Sequence, residues 1–84
     1  MKNIEQLKKK ITYRSEYRGI KEMNLLLSNF VRKYINIFNV VELKQLESLL
    51  NVDDIILFEW YLNKRSKINI PNNKVSKLLK NFKV

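Results

Sequence analysis

Apolar positions recur along most of this chain at helical spacing. Ile4, Leu7 and Ile11 give one apolar face to a helix running roughly from Asn3 to Arg18. Met23, Leu26, Leu27, Phe30, Val31 and Tyr34 follow the i, i+3, i+4, i+7, i+8, i+11 series of a buried stripe and predict the central helix of the core. Asn39 with Glu42 three residues later reads as a capping box, opening a third helix that carries Leu43, Leu46, Leu49 and Leu50. Asn51-Val52-Asp53-Asp54 then interrupts, and an Asn or Asp there can cap a fourth helix. That helix holds Ile55, Ile56, Leu57, Phe58, Trp60, Tyr61 and Leu62, apolar nearly all the way round, so it is buried on several sides or turns one face to a partner. Lys64-Arg65 suit its negative end, and residues 66–70 link it to Pro71, a helix-start residue. The last helix presents Val75, Leu78, Leu79 and Phe82. No strand alternation competes. The predicted fold is all-α, a small five-helix bundle forming a single domain over residues 1–84, with Leu26, Leu27, Phe30, Leu46 and Leu50 in its core.

Composition narrows the chemistry. A chain of 84 residues can bury a small core. It has neither cysteine nor histidine, which removes disulfides, thiol nucleophiles, imidazole bases and the usual zinc or haem ligands. The remaining candidates for catalysis are scattered, and the one adjacent carboxylate pair, Asp53-Asp54, is better explained as a helix N-terminus. A single glycine cannot build a phosphate loop. The expectation is a protein that is not an enzyme and holds no cofactor. Absent cysteine and a mixed N-terminus without the apolar stretch of a signal peptide give a cytoplasmic expectation. No apolar run approaches the ~20 residues of a membrane span, so membrane insertion is not expected.

The net charge of +9 suits an acidic partner surface, nucleic acid or anionic lipid. The excess is split: residues 1–18 and 51–84 each contribute +4 and residues 19–50 only +1. Lys8-Lys9-Lys10 wraps around the first helix and reads as a solvated surface. Lys74, Lys77 and Lys80 share one face of the last helix and could track phosphates, or could simply form its polar side. No helix-turn-helix, zinc finger or aromatic RNA-binding signature accompanies them. Phe30, Phe58, Trp60 and Phe82 sit at helical spacing as core residues, although tryptophan also favours interfaces. Tyr13 and Tyr17 lie four apart beside Arg14 and Arg18 and suit an amphipathic helix end.

The most specific string is Tyr17-Arg18-Gly19-Ile20-Lys21-Glu22, which contains the chain's only glycine. Between two helical patterns, that glycine is expected just past the first helix in a left-handed conformation. Opposite charges flank it. These residue types serve a helix stop and a docking point equally well.

The string from Tyr13 to Leu27 resembles the succinate dehydrogenase FAD assembly factors, the flavinator family, whose hallmark Arg-Gly-x-x-Glu matches Arg18, Gly19 and Glu22. The family's usual Asp two residues after the Glu is Asn24 here. The likeness continues through Phe30, Leu46-Glu47-Ser48-Leu49-Leu50, Asp53-Asp54 and Leu57-Phe58-Glu59-Trp60, covering roughly residues 11–82. It implies a five-helix assembly chaperone. Its partner would be the flavoprotein subunit of succinate dehydrogenase, with fumarate reductase as a further client, and it would promote covalent attachment of FAD to a client histidine. It also places Arg18, Gly19 and Glu22 in the partner-contacting surface, joined by Tyr17, Lys21, Asn24 and Trp60. On this reading the factor is a monomer that needs no nucleic acid, and Arg18→Ala is expected to weaken partner binding while leaving the fold and its melting nearly unchanged. The rival is a small basic helical binder of nucleic acid or a toxin-neutralising partner, dependent on Lys8–Lys10 or the last helix's lysines.

Overall fold

The computed structural model describes residues 2–62 and 70–83, which form α1 (Lys2–Glu16), α2 (Lys21–Tyr34), α3 (Val40–Leu50), α4 (Asp54–Tyr61) and α5 (Lys74–Asn81). The all-α, five-helix expectation holds. None of these helices is long and apolar enough to cross a membrane.

Helix α2 buries its stripe, as the pattern requires. Met23, Leu26, Leu27, Phe30 and Val31 are all buried, and Leu43, Leu46, Leu49 and Leu50 of α3 belong to the same core cluster. Helix α1 packs on both α2 and α3 through Ile11, with Ile4 and Leu7 against the core edge, and α5 covers α3 with Val75 and Leu79. Phe30 organises an aromatic cluster: Tyr34 at 4.8 Å, Phe82 edge-on at 5.3 Å and Phe38 at 6.2 Å between ring centroids. Of the other aromatics expected inside, Phe58, Trp60 and Phe82 are half-buried at the rim. Helix α4 divides its apolar surface. Leu57 is fully buried and Phe58, Trp60 and Tyr61 lean on the core, while Ile55 is left 60% exposed.

The helix boundaries follow local hydrogen-bond chemistry. The Asn39 side chain accepts from the Glu42 amide at 2.8 Å while Glu42 accepts from the Asn39 amide at 2.9 Å, the reciprocal box read from sequence. Asp53 caps α4 by accepting from the Ile55 amide at 2.9 Å. At α5 the sequence-based start at Pro71 moves. Asn73 and Ser76 build a second capping box, so the helix opens at Lys74 and Pro71 lies in the lead-in. A side-chain acceptor satisfies an otherwise orphaned amide, which proline's fixed φ cannot do. The expected stop at Lys64-Arg65 and most of the 66–70 linker lie outside the described residues.

Glu42 has a second role. Its carboxylate meets Lys74 Nζ at 2.9 Å and ties the start of α3 to the start of α5. The Lys74 hydrogen bond, and next the Asn39 amide, hold its pKa below the usual glutamate value. A depressed folded-state pKa contributes stability that is complete above the unfolded value and disappears as pH falls through the folded one. Acid melting curves should therefore lose part of their pH dependence below pH ~5 in Glu42→Gln, which keeps the amide-accepting oxygen but not the charge. An unchanged acid limb in that variant would show that the pair contributes nothing.

Candidate functional site

The corner between α1 and α2 holds the sequence's most specific string, and its geometry centres on Arg18. Helix α1 ends at Glu16, two residues earlier than the pattern suggested, because two side chains pull the chain out of the helix. Asn24 Nδ2 donates to the Glu16 carbonyl at 2.8 Å, capping the last turn. Arg18 then turns inward. Its Nε donates to Asp54 Oδ1 at 2.7 Å, its Nη1 to the Leu50 carbonyl at 2.7 Å and its Nη2 to the Val52 carbonyl at 3.1 Å. The Nη2–Oδ1 ion pair is 2.5 Å, and the two side chains are only 9% and 14% exposed. One guanidinium thus takes the final carbonyl of α3 and the first carboxylate of α4 together.

Asp54 completes the clamp. Its Oδ2 accepts the Gly19 amide at 2.5 Å and the Ile20 amide at 3.2 Å. Helix α2 has Ile20 at its N-cap and no side-chain cap of its own, so a carboxylate from the far corner supplies the negative charge that its positive end favours. The sequence reading placed both acids at a helix N-terminus. Asp53 alone meets that need, and the surplus of a second carboxylate opposite a motif arginine was the available signal for Asp54's different task.

Gly19 does not have the left-handed backbone expected of it; its φ lies outside that range. It sits three residues beyond the end of α1 rather than directly at a helix C′ position. A Cβ there would meet Asp54 Oδ2 at 3.5 Å, an ordinary contact.

The remaining expected residues divide by exposure. Tyr17 is 73% exposed and packs its ring on Tyr13 at 4.5 Å between centroids, an aromatic pair open to solvent. Lys21 and Glu22 are exposed on the first turn of α2 with no hydrogen bond or ion pair from their side chains to the described residues. Asn24 is engaged with Glu16. Trp60 is remote from this group in its contacts: Lys80 Nζ lies 4.5 Å from its ring centroid and donates to its carbonyl.

The lysines of the rival reading are dispersed. Lys74 is paired with Glu42, Lys80 lies on Trp60, Lys10 pairs with Glu47 at 3.0 Å and Lys8 donates to Asn36 at 3.3 Å. Neither segment presents a row of uncommitted cations to a phosphate backbone, so the nucleic-acid reading gains no support.

Two stability outcomes follow. Arg18→Ala strands a largely buried carboxylate, the final carbonyl of α3 and a carbonyl of the α3–α4 turn, so it should cost about 3 kcal/mol in chemical denaturation. This reverses the sequence-based expectation of unchanged melting; a loss under about 0.5 kcal/mol, the range of a surface change, would restore it. Gly19→Ala should stay within about 1 kcal/mol of the parent in the same experiment, since no left-handed backbone opposes it. A larger loss would mean that the turn does need glycine.

A family model described as flavinator of succinate dehydrogenase matches residues 9–83. The chain is 36% identical over 78 residues to succinate dehydrogenase assembly factor 2, mitochondrial, of Scheffersomyces stipitis, covering 92% of this chain and 52% of that protein. A Saccharomyces cerevisiae protein of the same name is 34% identical over 83 residues, with 94% and 51% covered. Succinate dehydrogenase assembly factor 2-A, mitochondrial, of Drosophila mojavensis is 35% identical over 79 residues, with 92% and 50% covered. The chain spans about half the length of these curated relatives. No solved structure matches it. The relatives are named mitochondrial, which overturns the cytoplasmic expectation. Absent cysteine does not tell one reducing compartment from another. With Arg18, Gly19 and Glu22 on one corner and the match running through nearly every helix, the chain belongs to the family of flavinators of succinate dehydrogenase.

Proposed function

We propose that this chain is an assembly factor that binds the flavoprotein subunit of succinate dehydrogenase and promotes covalent attachment of FAD to it. The family match over residues 9–83 carries this reading. The exposed side of the α1–α2 corner, with Tyr17, Lys21 and Glu22, and the backbone of Gly19 supply the surface that meets the client. The whole chain acts as one monomeric unit. The flavoprotein of fumarate reductase is a second client.

The factor does not itself catalyse the attachment. Its sequence has no histidine or cysteine to serve as acceptor, nucleophile or imidazole base. Its contribution is a population shift: it binds most tightly to the client conformation in which flavin and acceptor histidine are in contact, and so raises that conformation's share. A binder with equal affinity for every client conformation would shift nothing. The excess of positive charge speeds encounter with an acidic client surface and makes the on-rate fall with salt.

The decisive experiment mixes apo-flavoprotein, FAD and this chain and scores covalent flavin fluorescence on a denaturing gel. Fluorescence should appear on the client band, faster or more completely with the chain present. Tyr17→Ala, Lys21→Ala and Glu22→Ala should reduce that gain while leaving the chain's melting unchanged. Covalent flavin on this chain, or modification of an isolated histidine peptide, would make it an enzyme and end the chaperone reading.

A further inference from the structure

The motif arginine is the residue that a sequence comparison would first assign to the client. The geometry assigns it elsewhere. A guanidinium has five N–H donors. Around Arg18 each has an acceptor within the fold: Nε faces Asp54 Oδ1, Nη1 reaches the Leu50 carbonyl at 2.7 Å and the Arg14 carbonyl at 3.5 Å, and Nη2 serves Val52 and Asp54. With 9% of its side chain accessible, Arg18 has neither an open face nor a spare donor for a partner.

What Arg18 does instead passes through Asp54. By holding Oδ1, it fixes the carboxylate whose other oxygen binds the Gly19 and Ile20 amides. Those two amides set the path of the backbone from Tyr17 to Lys21, and hence where Tyr17, Lys21 and Glu22 stand. We infer that Arg18 is a positioning residue, and that Asp54, outside the Arg-Gly-x-x-Glu string, is its equal partner: together they fix the corner whose exposed side chains touch the client. This rests on the client reading above and deepens it. Loss of Asp54 should then harm client binding as much as loss of Arg18, although neither residue touches the client.

The experiment has two readouts on the whole 84-residue chain. The first is a double-mutant cycle on the dissociation constant for the flavoprotein subunit, using Arg18→Ala, Asp54→Ala and the pair. If both act through one clamp, each single change weakens binding by a similar factor, about tenfold, and the double is no worse than the weaker single. A direct client contact by Arg18 predicts independent losses that multiply to about a hundredfold, and that result overturns the proposal. The second readout is amide hydrogen exchange by NMR. Gly19 is the chain's only glycine, so its amide is a distinctive reporter. In each variant Gly19 and Ile20 should exchange at least about tenfold faster while the Phe30 amide stays protected. Weakened client binding by Arg18→Ala with Gly19 still protected also overturns it. If the alanine variants fail to fold, Arg18→Lys and Asp54→Asn replace them, since each keeps the side-chain size but cannot rebuild the charged fork. If the parent chain does not bind the flavoprotein at all, the proposed function fails. The exchange data still judge the clamp: unchanged protection of Gly19 and Ile20 in Asp54→Asn refutes positioning, and faster exchange sustains it.

Discussion

The corner of this bundle depends on one ion pair. Arg18 and Asp54 lie 36 positions apart, yet their contact is short and nearly sealed from water. Two charges removed from solvent are tolerated only when their remaining donors and lone pairs are satisfied. Here they are, by the carbonyls of Leu50 at the end of α3 and Val52 in the turn after it on one side and by the Gly19 and Ile20 amides on the other. The pair therefore does more than join two loops. It supplies hydrogen-bond donors at the end of α3 and a carboxylate at the start of α2, whose N-cap residue Ile20 offers no side-chain acceptor.

The N-termini of the later helices are closed locally, and the contrast is informative. Helices α3 and α5 carry their own capping boxes, and α4 has Asp53. The α1–α2 corner draws on residues beyond its own turns: Asn24 serves Glu16 across the turn, and Arg18 meets Asp54 across the bundle. A corner built this way is held without using its own outward-facing side chains. Tyr17, Lys21 and Glu22 are left for other tasks, which is the arrangement a recognition surface requires: positions held by packing beneath, chemistry free above.

That arrangement agrees with membership in an assembly-factor family. A chaperone that acts by preferring one client conformation needs a fixed surface more than it needs reactive groups, because its leverage is limited to the difference in affinity between client states. On the proposed function, the shape of the corner, held by buried charges, is where that preference would reside. The exposed apolar flank of Ile55 on α4 and the Tyr13–Tyr17 pair add amphipathic area without breaking the core.

The sequence alone determined the helices and the core. A periodic stripe such as Met23 to Tyr34 has one way to hide its apolar area, and a capping box such as Asn39–Glu42 is closed within four residues, so both are legible from spacing. It also brought the corner forward, through one glycine and its charged neighbours. Tertiary structure decided what those charges do. The family resemblance put Arg18 on the partner-contacting surface, and local chemistry read Gly19 as a left-handed stop; the fold instead drew Arg18 inward and left Gly19 with an ordinary backbone and an amide bound to Asp54. It also moved the start of α5 from Pro71 to Lys74. The reason is range: hydrophobic period and capping act over a few residues, whereas the partner of a buried charge is chosen by which distant helix ends the folded core brings within hydrogen-bond reach.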